Sequence, residues 1–178
     1  RMQYRALGRT GLRVGVIGLG TMVHAGHFGP MKDSESLSAI DAALELGVNF
    51  IDTSDAYGAG YSETLLGNTL KGRRDKVILA TKGGNVMVGP DRGKRNFAPA
   101  YIAGVLKESL KRLQTDCIDL IQIHEVDRVP LAQAVEETLE GFRLLQAAGK
   151  VRFLGITGDN VAKMALAADT GLFDTVQT

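Results

Sequence analysis

The sequence predicts an α/β protein with a parallel β-sheet, because strand-like and helix-like segments alternate along its whole length. Five apolar runs are each followed by a segment with helical periodicity, and a sixth run lies at residues 175–177. The predicted strands end at Thr21, Asp52, Lys82, His124 and Thr157, about one strand–helix unit apart. This alternation leaves two architectures, a doubly wound open sheet or a (β/α)8 TIM barrel.

Each element is justified by its own pattern. Gly8 and Gly11 predict the turn of a small hairpin over residues 4–14, and a glycine-punctuated strand follows at 14–21. Short apolar runs predict the later strands at 50–53, 77–82, 118–124, 153–157 and 175–177. Apolar residues at helical spacing predict the helices 34–46, 62–70, 101–113, 131–148 and 161–168, and the polar segment 83–99 is predicted to be a loop.

Composition limits the function classes. The chain has 178 residues, 44% of them apolar, which suits a single domain over 1–178 with a real core. A formal net charge of +1 argues against binding to nucleic acid or an anionic membrane, and no apolar run is long enough to span a bilayer. The single cysteine excludes an internal disulfide. We expect a soluble cytoplasmic protein.

Three predicted strands carry a polar residue at their C-terminal end, where a buried parallel strand is otherwise apolar. Asp52, Lys82 and His124 each follow an apolar run, and each lies on the strand face that points inward if the sheet is a barrel. Active sites of barrels lie at this end of the strands. Each residue alone has an ordinary structural explanation, but together they favour a barrel with a site at the top of its bore.

Tyr57, in the glycine-rich loop after Asp52, adds a phenol to these charges. A phenol is a weak acid, with an ordinary pKa of about 10. An ammonium group beside it stabilises the phenolate, and a carboxylate keeps a buried ammonium group charged. The set therefore predicts Tyr57 as a general acid supported by Lys82 and Asp52, with His124 orienting a carbonyl oxygen. Asp55 lies in the same loop; we assign it no chemistry beyond a part in shaping the turn.

The remaining polar residues are given structural interpretations. His24 and His27 have no carboxylate or cysteine at ligand spacing, so no metal site is predicted, and both are expected to line the pocket mouth or face solvent. No activated serine or cysteine is predicted, which excludes acyl transfer. The other tyrosines are taken as packing residues, and the basic residues of the long loop as solvated, with contact to a phosphate as the alternative: Arg92, Lys94 and Arg95.

Four segments, in this order, resemble the aldo-keto reductases, NADPH-using enzymes with a (β/α)8 barrel. They are LGRTGLRVGVIGLGT, GVNFIDTSDAYG, LATKGG and DLIQIHEVD. The resemblance covers the whole chain, and the second segment is its most specific part. It implies that Asp52, Tyr57, Lys82 and His124 match the family's catalytic tetrad, with Tyr57 as proton donor and hydride passing from the nicotinamide to the carbonyl carbon of an aldehyde or ketone.

The resemblance also implies a cofactor, NADP(H), with NAD(H) not excluded. Residues that match the family's cofactor contacts are Gly20, Thr21, Asp52, Thr157 and Gln177. Thr157 and Gln177 match contacts to the carboxamide, whereas Gly158 stands where many members have Asn, and Asp159 and Asn160 are offset as substitutes. The expected partner is a small carbonyl or alcohol; the oligomeric state, the substrate and the direction of reaction stay open.

The barrel is expected to be incomplete. The sixth predicted strand is reached at residues 175–177, whereas a closed barrel of this kind has eight. We therefore expect strands one to six of a barrel, closed at the bottom by the N-terminal hairpin. Residues 1–178 alone should bind NADPH weakly and reduce carbonyls little or not at all. Full-rate reduction of a test aldehyde by purified residues 1–178, followed at the NADPH absorbance band, would contradict this.

Two other functions are weighed against carbonyl reduction. Potassium-channel β subunits resemble the same family and share the LGRTGL opening, but act mainly as regulatory partners. Such a protein would form a tetramer and carry an N-terminal inactivation segment, whereas in this sequence the predicted hairpin begins at residue 4. The other alternative is an inactive half-barrel that binds nothing.

Overall fold

The structure, a computed structural model, describes residues 1–178 and has the predicted alternation of strands and helices. Its strands are β1 Tyr4–Ala6, β2 Arg13–Gly15, β3 Leu19–Gly20, β4 Phe50–Asp52, β5 Ile78–Gly83, β6 Ile118–Ile123, β7 Val151–Thr157 and β8 Thr175–Gln177. Its α-helices are α1 Asp33–Glu45, α2 Tyr61–Thr69, α3 Pro99–Leu113, α4 Leu131–Ala147 and α5 Val161–Asp169. Short 3-10 turns lie at Met22–Ala25, Arg74–Lys76 and Val126–Arg128.

Strands β3 to β8 form one parallel sheet in which every strand pairs with the next along the chain. Each pair is joined by one helix, and helix α2 packs on α3 and α3 on α4. A sheet with this order and a surrounding row of helices is six strands of a curled (β/α)8 barrel. The parallel arrangement brings the C-terminal ends of all six strands to the same edge.

The two faces of the sheet have different environments. The residues of one face form the main core with the helices, among them Ile51, Leu79, Ile121 and Ile156, each at most 2% exposed. The alternate residues point into the bore and include Asp52, Lys82 and Gln122. None of the helices combines the length and the apolarity needed to cross a lipid bilayer.

The N-terminal hairpin closes the bottom of the barrel, as predicted. β1 and β2 pair antiparallel, and the hairpin is held by residues at the N-terminal ends of the sheet strands. The Asn49 side chain, just before β4, accepts from the Gly15 amide at 2.8 Å and donates to the Arg13 carbonyl at 2.9 Å. Arg9 donates to the Phe173 carbonyl, just before β8, at 3.1 Å. The hairpin therefore lies at the end of the barrel opposite the predicted site.

One predicted strand is wrong in its extent. The segment 14–21 is not a single strand: β2 ends at Gly15, and only Leu19–Gly20 joins the sheet. Val16 and Ile17 are 49% and 62% exposed, so the apolar run that suggested a buried strand is a link between hairpin and barrel. The glycines on both sides of this link are closely packed: a β-carbon at Gly18 would lie 3.0 Å from the Phe50 ring, and one at Gly15 3.2 Å from Met2 Sδ.

Helices α2 and α3 approach closely at Gly67, which predicts a steric test of the fold. A β-carbon at Gly67 would lie 2.1 Å from the Arg112 carbonyl oxygen of α3. Gly67→Ala must therefore push the helices apart, and we expect the free energy of unfolding to fall by about 1–3 kcal/mol. Gly104→Ala, in α3 with no heavy atom within 4 Å of the added carbon, should instead raise it by about 0.5–1 kcal/mol. Urea unfolding of both variants measures the difference, and equal effects would contradict the packing.

Candidate active site

Lys82 is the centre of the polar cluster at the C-terminal edge of the sheet. It lies near the end of β5, and its side chain is only 4% exposed. Its Nζ donates to Asp52 Oδ2 at 2.6 Å, to the Thr53 carbonyl at 3.0 Å and to the Tyr57 hydroxyl at 3.0 Å. All three hydrogens of the ammonium group are therefore engaged, which fixes its position in the bore.

Asp52 is the last residue of β4, and both of its carboxylate oxygens are engaged. Oδ2 pairs with Lys82, while Oδ1 accepts from Gln122 Nε2 at 2.9 Å. Gln122 sits on β6 at the level of Lys82, and a β-carbon at Gly155 on the next strand would lie 3.0 Å from Gln122 Cγ. The small residue at Gly155 thus leaves room for the side chain that holds Asp52, a contact that the sequence did not predict.

Tyr57 lies in the loop between β4 and α2 and reaches back over the end of the strand. The loop turns through backbone with positive φ at Gly58 (62°) and Ala59 (53°) before α2 begins. The Tyr57 ring lies 4.8 Å from Lys82 Nζ and 6.1 Å, edge to face, from the His124 ring. The structure therefore brings together all four predicted residues, Asp52, Tyr57, Lys82 and His124.

His124 follows β6 directly and is held through one nitrogen of its ring. Nδ1 lies 3.2 Å from Ser54 Oγ and 3.1 Å from the amide nitrogen of Asn85, whereas Nε2 makes no hydrogen bond within the protein. Burial, and next the positive charges of Lys82 and Arg95, lower the pKa of His124 to about 3. The imidazole is therefore neutral near pH 7 and turns its second nitrogen to the cleft.

Asn85 and Ser54 are contacts of His124 that the sequence did not predict. Tyr101 donates to the Asn85 carbonyl oxygen at 2.8 Å, so this tyrosine, expected only to pack, anchors the residue that contacts the ring. Ser54 is fully buried directly after the strand that carries Asp52. Neither stands out in the sequence, because each contact joins segments that are far apart along the chain.

An open cleft of about 520 Å³ lies over this cluster. Its wall combines Tyr57, Lys82 and His124 with residues from the loops after all six strands of the sheet. Lining residues include Met22, His27, Tyr57, Lys82, His124 and Gln177. The cleft is large enough for a small organic molecule beside Tyr57 and His124.

The predicted cofactor residues fall into two groups. Thr157 and Gln177 line the cleft, and Gln177 is exposed with a side-chain amide that makes no hydrogen bond in the structure. Gly20 and Thr21, at the end of β3, do not line the cleft; Gly20 is exposed and Thr21 is fully buried. The Thr21 hydroxyl donates to the Asp52 carbonyl at 3.2 Å, and no heavy atom lies within 4 Å of a β-carbon placed at Gly20. An unengaged amide beside a hydroxyl suits a carboxamide group, and the open backbone leaves room next to it; contact with the cofactor stays a prediction for each residue.

Gly158, and the two residues that the sequence offered as offset substitutes for Asn at that position, lie in the loop after β7. A β-carbon at Gly158 would lie 3.0 Å from the carboxylate oxygens of Asp127, which accept from the amides of Asp159 and Asn160. The Asn160 side-chain oxygen caps α5 by accepting from the Lys163 amide at 3.0 Å. The Asn160 side chain therefore serves the start of α5, whereas Asp159 lines the cleft.

Two structural interpretations from the sequence need correction. His24 is 4% exposed, with Nδ1 3.4 Å from Met31 Sδ, so it neither faces solvent nor lines the cleft; His27 does line it. Arg95 is not a solvated loop residue: its side chain is 6% exposed and forms an ion pair with Glu125. The loop brings it back to the sheet edge through the bridge between Asn85 and Arg95, a return that local polarity could not reveal.

Asp55, assigned no chemistry from the sequence, is a buried carboxyl group next to the site. It is 6% exposed, and its Oδ1 lies 3.2 Å from Ser54 Oγ. Burial, followed by the negative charge of Glu63, raises the pKa of Asp55 to about 7. The structure adds to the expected part in shaping the turn: the carboxyl group is buried and contacts a partner of His124.

The raised pKa of Asp55 and the lowered pKa of His124 predict opposite effects of pH on stability. A raised pKa at Asp55 gives stability that is present below about pH 4 and is lost as the pH rises toward 7. A lowered pKa at His124 gives stability that is present above about pH 6.5 and is lost as the pH falls toward 3. Between about pH 4 and about pH 6.5 the contributions of Asp55 and His124 to stability change in opposite directions as the pH rises. Replacing one of the two residues therefore exposes the pH dependence that is due to the other.

Asp55→Asn should therefore gain stability relative to the unchanged protein as the pH rises from about 4 to about 7, with a slope of up to ~1.4 kcal/mol per pH unit. Urea unfolding of residues 1–178 across this range measures the difference. Asp41→Asn, which removes a half-exposed carboxylate on α1, is the control and should give a much shallower slope. Parallel curves for the unchanged protein and Asp55→Asn would contradict the raised pKa.

A lysine held by a carboxylate beside a phenol and a neutral histidine lies at the open end of a barrel sheet. The model of the aldo/keto reductase family matches residues 16–177. The chain therefore belongs to the aldo-keto reductase family.

Individual relatives agree with this assignment. L-galactose dehydrogenase of Arabidopsis thaliana is 38% identical over 161 residues, which cover 89% of this chain and 49% of that protein. The aldo-keto reductase YhdN of Bacillus subtilis is 38% identical over 182 residues, covering 99% and 53%. Among solved structures, the holo form of aldo-keto reductase AKR11C1 from Bacillus halodurans has a TM-score of 0.81 at 38% identity, covering 94% and 54%. The chain spans about half the length of the curated relatives it matches.

Proposed function

We propose that the natural protein is an NAD(P)H-dependent reductase of aldehydes or ketones in which Tyr57 delivers the proton. The observation that carries this proposal is the Tyr57 hydroxyl at 3.0 Å from Lys82 Nζ, with the ammonium group paired to Asp52 at 2.6 Å. A phenol next to a fixed positive charge is suited to release its proton to an oxygen that gains negative charge. Membership of an oxidoreductase family supports the same reaction type.

Lys82 and Asp52 act as one unit in this proposal. The carboxylate keeps the buried ammonium group charged, and Gln122 holds the carboxylate at its other oxygen. The ammonium group then stabilises the phenolate that remains when Tyr57 has given up its proton. Because all three partners of Lys82 are in place before substrate enters, little reorganisation is needed in the step itself.

His124 orients the substrate. Its neutral ring leaves Nε2 toward the cleft, and a proton on that nitrogen can be donated to a carbonyl oxygen. Donors from Tyr57 and His124 then converge on one oxygen, which draws electron density from the carbonyl carbon. In this proposal, reduction uses both the phenol and the uncharged imidazole at the same edge of the sheet.

A bound nicotinamide would supply the hydride that this reduction consumes. Thr157 and Gln177 are the residues we propose for its carboxamide, because both line the cleft and the Gln177 amide is unengaged. Gly20 and Thr21 are proposed beneath the ribose. The family resemblance leads us to propose NADP(H) as the cofactor, and the assay below compares it with NAD(H).

The substrate is proposed to be a small carbonyl compound, sugar-like ones included, or the matching alcohol in the reverse direction. Sugar-like substrates gain support from a relative named for L-galactose dehydrogenation, which covers 89% of this chain. The polar lining of the cleft, with His27, Asn85 and Glu125, suits a hydroxylated molecule better than a large apolar one.

The proposal is tested with the natural full-length protein. Aldehydes, ketones and open-chain sugars are supplied with NADPH or NADH, and consumption of the reduced cofactor is followed together with formation of the alcohol. His124→Gln, which keeps a polar side chain at the cleft but removes the imidazole, should retain cofactor binding and lose most of the activity. Tight cofactor binding without reduction of any carbonyl, or oxidation of any alcohol, would reject the proposed function in favour of a regulatory role.

A further inference from the structure

Asp55 lies behind the site, buried between the end of β4 and helices α2 and α3. The ionisable groups that face it are Glu63 from α2 and Arg112, Tyr101 and Glu108 from α3. Arg112 does not neutralise it, because that guanidinium donates to Glu63 Oε2 at 2.7 Å. Asp55 therefore has no salt bridge of its own.

On its other side Asp55 faces His124 through a single hydroxyl group. Ser54 Oγ lies 3.2 Å from Asp55 Oδ1 and 3.2 Å from His124 Nδ1, and it accepts from the Ala56 amide at 3.1 Å. A hydroxyl group has one hydrogen to donate. The Ser54 hydrogen therefore goes either to the Asp55 carboxyl group or to the His124 ring. The charge of Asp55 determines which of the two accepts it.

When Asp55 is protonated, its own hydrogen goes to Ser54 Oγ. The Ser54 hydrogen then goes to His124 Nδ1, and the ring proton must be on Nε2, facing the cleft. When Asp55 is ionised, the carboxylate takes the Ser54 hydrogen, since hydrogen bonds to a charged acceptor are the stronger ones. His124 can then form a hydrogen bond with Ser54 Oγ only as the donor, which requires the ring proton to be on Nδ1.

Asn85 can follow either state. Its side-chain amide lies against His124 Nδ1 at 3.1 Å, and its Oδ1 is buried without a partner. A half-turn of the amide exchanges its donor for its acceptor at the ring. Tyr101 fixes only the Asn85 backbone, so the side chain is free to make this turn.

We propose that Asp55 is a positioning residue whose protonation selects the tautomer of His124 through Ser54. When Asp55 ionises, its carboxyl group releases one proton to solvent. The imidazole keeps a single proton, which moves from Nε2 to Nδ1 by exchange with water. Burial, and next the positive charges of Lys82 and Arg95 that face the imidazole, lower the pKa of His124 to about 3 and keep the ring uncharged throughout. Burial raises the pKa of Asp55 to about 7, which puts the change near neutral pH.

The catalytic consequence, which rests on the proposed function, concerns the rate of reaction in both directions. Nε2 with a proton donates to the substrate oxygen while Tyr57 exchanges the proton, whereas Nε2 without a proton lacks this donor. Protonated Asp55 therefore favours catalysis, and ionised Asp55 lowers the rate of reduction and of the reverse oxidation alike. An acid two residues from Tyr57 would thus tune the site without contacting substrate.

The decisive experiment reads the tautomer directly by NMR of protein labelled with 15N-histidine. The His124 signals are assigned by their loss in His124→Gln and followed from about pH 5.5 to about pH 8.5. The unchanged protein should pass from the Nε2–H to the Nδ1–H form as the pH rises through about 7. Asp55→Asn and Ser54→Ala should each abolish this change, whereas Glu108→Gln, at an exposed acid beside the same cavity, should retain it.

One tautomer at both ends of the pH range in the unchanged protein would overturn the proposal, as would an unaltered change in either Asp55→Asn or Ser54→Ala. If one of these two variants does not fold, the other decides. The NMR readout needs neither cofactor nor substrate, so it separates the two claims. A tautomer change without carbonyl reduction rejects the proposed function alone, and reduction without a tautomer change rejects the role of Asp55 alone.

Discussion

Tyr57→Phe is expected to lower the rate of carbonyl reduction by about 10²–10⁴-fold, the range that general acid catalysis contributes. The change removes only the hydroxyl group, which lies 3.0 Å from Lys82 Nζ. The ring keeps its edge-to-face contact with His124, so the shape of the cleft should be preserved. The affinity for NAD(P)H should therefore change little, because the lost atom serves the proton step.

Single-turnover reduction of an aldehyde measures this effect in the natural full-length protein, with cofactor binding followed separately by fluorescence. Tyr61→Phe is a matched control: its hydroxyl donates to Asp33, and its side chain lies outside the cleft. It should reduce carbonyls at the original rate. A Tyr57→Phe variant with undiminished activity would end the assignment of Tyr57 as proton donor.

The fold could be predicted because its signals are local. Helix α3 is an example: Ile102, Leu106 and Leu113 recur at helical spacing, and all three are at most 2% exposed. Polar residues at the ends of apolar strands are equally visible, and parallel pairing brings all such ends to one edge. The positions of Asp52, Lys82 and His124 follow from these two facts alone.

The contacts that support the tetrad could not be predicted, because they join distant segments through ordinary residues. Ser54 and Asn85 contact His124 across separations of 70 and 39 residues, and Gln122 reaches Asp52 across 70. Serine, asparagine and glutamine occur at many positions in proteins without any role in a functional site. Only the register of the strands shows that these particular ones meet at the site.

Asp55 shows why a residue with a plausible local explanation can be undervalued. An aspartate in a glycine-rich loop usually shapes a turn through its own backbone. Here the helices α2 and α3 cover the loop, so the carboxyl group is buried and its charge becomes costly. Burial is a property of the packed molecule, and the sequence around Asp55 does not reveal it.

Lys82→Met is the second variant with a large expected effect, on activity and on stability together. Methionine fills a similar volume but removes the charge that holds Tyr57 and Asp52. Without it the phenolate has no cation within reach, and reduction should again fall by about 10²–10⁴-fold. The Asp52 carboxylate, only 14% exposed, would keep Gln122 as its sole side-chain partner, which should cost about 3–5 kcal/mol of unfolding free energy.

A double variant separates these two effects. Lys82→Met with Asp52→Asn removes both buried charges, so most of the lost stability should return, because no unpaired carboxylate is left. The activity should stay low, since neither change restores a cation to Tyr57. Lys76→Met, at an exposed lysine in the turn before β5, should leave both properties unchanged. If the double variant regained activity along with stability, Lys82 would be a structural residue, and the proton step would need another source of charge.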